Sequence, residues 1–154
     1  MRRTPLALIL VAAAVAAFAL GGCAKCQEMI GTRTIDNPEE ESPEWVLQQV
    51  LIAAMDPDTD SGYKKLYPYL HSQLTESRAA ESSFRMMNFE AIHRKVKLFL
   101  VDDSKPVYEI DYREELDNGE LKIFVVNEGS LPTPCSLSRD PKANNNWRVL
   151  HRCL

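Results

Sequence analysis

The chain predicts an α+β domain, with helices first and an antiparallel sheet after them. Three observations carry this expectation. Apolar residues recur at helical spacing from Val46 to about Arg94, the period then drops to two residues from Val96 onward, and the later runs are separated by turn residues such as Asp117-Asn118-Gly119. Helices followed by a strand meander suit a sheet with one face covered by the helices. Composition agrees, with 45% hydrophobic and 26% charged residues over 154 positions, which is ordinary for one globular domain.

The first helix is expected at about 43–55. Ser42 suits an N-cap, Pro43 the first helical position and Glu44 the first turn, and Val46, Leu47, Val50, Leu51 and Ala54 share one face. It should stop at Asp56-Pro57. Asp56, Asp58 and Asp60 alternate as calcium-binding loops do, but an EF-hand-type loop needs glycine at its sixth position and glutamate at its twelfth, where this chain has Ser61 and Tyr67. Turn chemistry is the better account of these aspartates, and no metal is expected. Tyr63, Leu66, Tyr67, Leu70 and Leu74 give a second stripe, bent or restarted at Pro68, and Phe84, Met87, Phe89 and Ile92 a third.

Strands are expected around Val96, Leu98 and Leu100, then Tyr108, Ile110 and Tyr112, then Leu121, Ile123 and Val125, with the last two strands around Cys135 and around Trp147, Val149 and His151. Asp117-Asn118-Gly119 marks a hairpin. Asp111 beside Tyr112, with Tyr108 one pleat away, is the only acid and phenol cluster worth considering for proton abstraction. Strict alternation places Tyr108 and Tyr112 on one face and Asp111 on the other, which weakens it as a catalytic site.

Ahead of this domain, Leu6 to Leu20 is an unbroken apolar run preceded by Arg2 and Arg3, an export-signal arrangement too short for a comfortable membrane span. Leu20-Gly21-Gly22-Cys23 follows it and resembles the bacterial lipobox. The resemblance implies a signal peptide over 1–22 and a mature chain starting at Cys23, whose thiol and amine carry acyl chains, palmitate among them. Two or more chains hold a protein on a membrane stably, at about 0.8 kcal/mol per buried methylene. Ala24, in place of an aspartate, suggests the outer membrane. Residues 24–42 lack any apolar period, end in Glu39, Glu40 and Glu41, and read with Cys23 as a flexible tether, 23–42, before a domain at 43–154. Removing 1–22 leaves 16 basic against 22 acidic residues, a net charge of −6, so a nucleic-acid partner has no electrostatic basis.

Export also implies an oxidising compartment. Cys26 falls in the tether, which leaves Cys135 and Cys153 as the expected disulfide. A register setting Cys135 opposite Cys153 also sets Leu137 opposite His151 and Arg139 opposite Val149, and closing this loop should stabilise the fold by about 3 kcal/mol.

The order of elements from 43 to 154, with the Tyr63-Lys-Lys-Leu-Tyr-Pro-Tyr-Leu helix and the closing Asn146-Trp147-Arg148-Val149 strand, is similar to the NTF2-like superfamily, also called the cystatin-like or SnoaL-like cone fold. That resemblance implies a curved antiparallel sheet with helices packed in its concave face, and a container used by isomerases, dehydratases, inhibitory partners and assembly modules alike. His71, His93 and His151 have no metal-ligand spacing, and His93 sits in a basic run that reads as a solvated edge. No glycine-rich phosphate loop, nucleophile elbow or paired-cysteine zinc motif is present in the expected mature chain, and no cofactor is expected. Two readings follow: a non-catalytic envelope lipoprotein that binds a protein or small ligand, and a small-molecule isomerase or lyase of the cone fold. A polar, convergent hollow would favour the enzyme, and a hollow filled by aromatic side chains the binding module.

Overall fold

The computed structural model describes residues 31–154; the expected export signal, Cys23 and Cys26 lie outside the described residues. Helices pack on one face of a five-stranded antiparallel sheet, so the domain is α+β. Strand β1 (Arg33–Ile35) precedes all the helices, and β2 (Tyr108–Glu115), β3 (Leu121–Val125), β4 (Thr133–Asp140) and β5 (Asn146–Cys153) follow them, in the spatial order β1-β2-β3-β4-β5. Among the described residues no helix is long and apolar enough to cross a membrane.

Helix α1 (Pro43–Ala54) begins where its capping residues require. The Ser42 hydroxyl accepts the Trp45 amide at 3.1 Å, Pro43 has no amide to orphan, and Val46, Leu47, Val50 and Leu51 are wholly buried. Helix α2 (Thr59–Leu66) opens four residues before Tyr63, because Asp58 accepts the Asp60 and Ser61 amides and caps it. A Cβ on Gly62 would lie 2.3 Å from the Ala53 carbonyl, so glycine alone lets α1 and α2 approach this closely. Pro68 sits in a 3-10 turn, Tyr67–Tyr69, that ends the helix, and the short α3 (Ser72–Thr75) follows.

The third helical region is α4 (Arg78–Ser83), a π-turn segment Phe84–Phe89 and α5 (Glu90–Lys95). Phe84 and Phe89 are five residues apart and both buried. A regular α-helix would splay them by about 140°, whereas i→i+5 geometry brings them to one face. Met87, expected on the buried stripe, is 73% exposed for the same reason.

Two further expectations are corrected. Val96–Phe99 is a 3-10 turn, not a strand. Val96 and Phe99, three apart, are its buried pair, and Leu98 faces outward. The fifth strand comes instead from Arg33–Ile35, read above as tether, which pairs with β2 through Arg33↔Ile110 and Ile35↔Tyr108 and buries Ile35. The segment after it is tied down as well. The Asp36 carbonyl accepts from Gln48 Nε2 at 2.6 Å, and Glu41 Oε1 from Asn146 Nδ2 at 3.0 Å.

The β2–β3 hairpin turns at Asp117-Asn118-Gly119, with Gly119 at φ +80°. Cys135 and Cys153 are cross-strand partners joined by a disulfide, and both are fully buried. The remaining register differs from expectation. Leu137 faces Val149 and Arg139 faces Trp147, because β5 carries three residues, Leu150 to Arg152, where β4 has only Ser136. This excess lets Val149 and Cys153 both point into the core while His151, formally of the same parity, is exposed.

Reducing the disulfide, or replacing Cys153 with serine, should lower unfolding stability by about 3 kcal/mol. Urea unfolding of oxidised and reduced protein measures it, and identical midpoints would contradict the assignment.

Candidate functional site

The space between helices and sheet is where a cone-fold enzyme would keep its polar groups. Here Tyr108, Phe89, Leu47, Leu51, Leu66 and Ile123 fill it, all with under 2% exposure. The Tyr108 hydroxyl donates to the Glu44 carbonyl at 2.7 Å, and burial raises its pKa well above the ordinary phenol value. It is a satisfied core tyrosine.

The Asp111–Tyr112 cluster does not assemble. Between Ile110↔Val125 and Tyr112↔Phe124 strand β2 has one extra residue, Asp111, and this bulge reverses the alternation beyond it. Tyr108 therefore points inward and Tyr112 outward, contrary to the expectation that they share a face. Tyr112 stacks on Phe124 on the outer face, with ring centroids 4.0 Å apart.

The same bulge turns Arg113 inward, across from Ile123, and its guanidinium pairs with Glu44. Glu44 is only 6% exposed, and Arg33 Nη2 lies 3.8 Å from the same oxygen. Sequence reasoning assigned Glu44 to a helix start and gave Arg113 no role. Only the bulge connects them, and no residue type announces it.

His71, Ser72 and Asp140 form a second buried polar cluster that resembles a nucleophile, base and acid by composition. Its hydrogen bonds argue against that use. Ser72 Oγ donates to Asp140 Oδ1 at 3.0 Å, the Ser72 amide donates to Asp140 Oδ2 at 2.7 Å, and His71 Nδ1 accepts the Gln73 amide at 3.2 Å. The imidazole caps α3 instead of activating the serine. Asp140 also accepts the Lys142 amide at 2.9 Å. Burial opposes its ionised form, but the hydrogen bonds from Ser72 and Lys142 outweigh that and hold its pKa below the usual carboxylate range.

A shallow groove of about 180 Å³ lies between Ala54–Pro57 and the stretch from His93 to Leu100, with Lys97 and Asp103 paired at 3.0 Å on its rim. His93, expected on a solvated edge, is half-buried, and its Nδ1 lies 3.0 Å from the Ala54 carbonyl. Asp56, also at the groove, is held by Lys65 at 2.7 Å, which with the Asp58 amide and Ser61 lowers its pKa to about 2. The three aspartates of the calcium-like run thus serve separate structural ends: Asp56 grips Lys65, Asp58 caps α2 and Asp60 pairs with Arg85. Among the described residues no group of three acids, histidines or cysteines is placed to hold a metal. Compared with protein-family models, curated proteins and solved structures, the chain has no significant match.

Replacing Arg113 with methionine should destabilise the domain by about 3–5 kcal/mol by stranding the Glu44 carboxylate, and adding Glu44→Gln should recover part of that loss in thermal unfolding. Asp140 gives a pH signature. Its depressed pKa supplies stability that is fully present above the unfolded value near 3.9 and lost as pH falls through the lower folded value. Asp140→Asn should therefore flatten the acid limb of the stability–pH curve below about pH 4, and an unchanged limb would exclude Asp140 as its source.

Proposed function

We propose that the chain is a bacterial envelope lipoprotein, anchored through Cys23 to the outer membrane, whose domain is a non-catalytic binding or assembly module of the NTF2-like type. The observation that carries the non-catalytic part is the filled interior. The volume a catalytic cone would leave for substrate is taken by Tyr108, Phe89 and their aliphatic neighbours. The Cys135–Cys153 bond supports an oxidising compartment, as export implies. The lipid anchor rests on the Leu6–Leu20 run and Leu20-Gly21-Gly22-Cys23. The NTF2-like reading rests on helices covering one face of an antiparallel meander, and its isomerase or lyase alternative would need the polar hollow whose place these side chains occupy.

The anchor is tested by Cys23→Ala in a diderm host. The variant should accumulate unprocessed or leave the membrane fraction, and a processed variant that still fractionates with membranes would overturn the anchor. The non-catalytic part is tested by Asp111→Asn with Tyr112→Phe in cells lacking the native copy. Function should persist, and its loss at unchanged protein level would move the assignment to the enzyme.

A further inference from the structure

The π-turn segment Phe84–Phe89 sends its apolar side chains two ways. Phe84 and Phe89, one at each end, are buried, and Arg85 ties the segment to α2 by pairing with Asp60 and lying 5.3 Å from the centre of the Tyr63 ring. Those contacts leave the middle of the turn facing water. Met86 is 62% exposed and Met87 73%, so two adjacent thioethers stand at the surface, whereas Met55, the third methionine among the described residues, packs against the core. Each exposed sulfur also has a hydroxyl on it. Ser82 Oγ donates to Met86 Sδ at 3.7 Å and Ser83 Oγ to Met87 Sδ at 3.6 Å, each reaching one helical turn along the chain.

We propose that Met86 and Met87 are a paired oxidation site, converted to methionine sulfoxide by hydrogen peroxide ahead of Met55 and without cost to the fold. In each conversion a sulfur lone pair attacks one peroxide oxygen, and the O–O bond breaks as the S–O bond forms. The departing hydroxide takes the proton of the transferred hydroxyl and leaves as water. Sulfur gives up two electrons and the peroxide takes two, so no further reactant is required. What the reaction does require is that peroxide reach the sulfur, which exposure allows at Met86 and Met87 and core packing restricts at Met55.

The serines bear on the product. A thioether is a weak acceptor and a sulfoxide oxygen a polar, stronger one, so a hydroxyl already resting on the sulfur is placed to donate to the new oxygen. At Met55 the same oxygen would enter an apolar contact with the core. Oxidation of the pair therefore exchanges an exposed apolar patch for a hydrated one and weakens any contact made through it. A methionine sulfoxide reductase restores the thioethers, since both side chains lie within reach at the surface. The chemistry is the same whether or not Cys23 is acylated.

The test treats the folded full chain with hydrogen peroxide and follows oxygen uptake by peptide mass. Trypsin cleavage after Arg85 and Arg94 releases Met86 and Met87 on one peptide and leaves Met55 on another. The Met86–Met87 peptide should gain two oxygens, each at a rate about tenfold above that of Met55. Protein oxidised at the pair alone should keep the urea unfolding midpoint of untreated protein. Met86→Leu with Met87→Leu should abolish the fast uptake, leave the slow uptake at Met55 and keep the same midpoint. Equal rates at the three methionines, faster uptake at Met55, no uptake at the pair, or a lowered midpoint when only the pair is oxidised would overturn the proposal.

Discussion

One inserted residue in β2 decides which side chains this domain hides. Were Asp111 paired in regular register opposite Phe124 instead of bulged out between Ile110 and Tyr112, alternation would carry Tyr112 into the core and Arg113 to the surface. The buried carboxylate of Glu44 would then lose its guanidinium partner, and an uncompensated carboxylate at 6% exposure is among the costlier defects a small domain can carry. The bulge therefore links three things that otherwise look independent: the charge at the start of α1, the seating of β1 through Arg33, and the aromatic pair Tyr112–Phe124 on the opposite face.

At the other end of the sheet β5 solves a related problem with two extra residues. Val149 must reach the core opposite Leu137, and Cys153 must reach Cys135, yet the intervening Leu150, His151 and Arg152 outnumber the single residue available in β4. Pushing them outward satisfies both constraints. His151 then lies 3.6 Å from Glu120. The disulfide ties β4 to β5 at Cys135 and Cys153. Residues 70–71 cover part of the same edge, with the His71 amide donating to the Val149 carbonyl at 2.8 Å, so β5 is not left as an open edge along that stretch.

What could be read from the sequence follows from how local its physical signal is. Helix α1 was legible because Ser42, Pro43 and the Val46–Ala54 stripe are all local, and the β2–β3 hairpin because Gly119 needs a positive φ that few other residues tolerate. Cys135 and Cys153 were legible because their chemistry leaves few partners. Strand β1 was not, since three residues held mainly by backbone hydrogen bonds carry no period, and Val96–Phe99 was misread because residues two apart look like a strand when the operative pair is three apart. Of the candidate site, the sequence placed Tyr108 and Tyr112 on one face, and the structure puts them on opposite faces. Strict alternation was assumed at the place where the strand breaks it, and the Glu44–Arg113 pair depends on that break.

The seating of β1 changes the geometry of the proposed anchor. A tether over 23–42 would let the domain range about 65 Å from Cys23, whereas a fold that begins at Arg33 leaves ten peptide steps from Cys23, a span of at most about 35 Å. That bound is covalent and holds for any conformation of the intervening residues. If Cys23 carries the anchor proposed above, a domain held this close meets partners that share its leaflet or project from it. On the same proposal, the net charge of −6 over residues 23–154 would work against the domain lying flat on anionic headgroups. On that proposal, short reach would hold the domain near the leaflet while like charge would keep it off the headgroups, one constraint following from covalent length and the other from net charge.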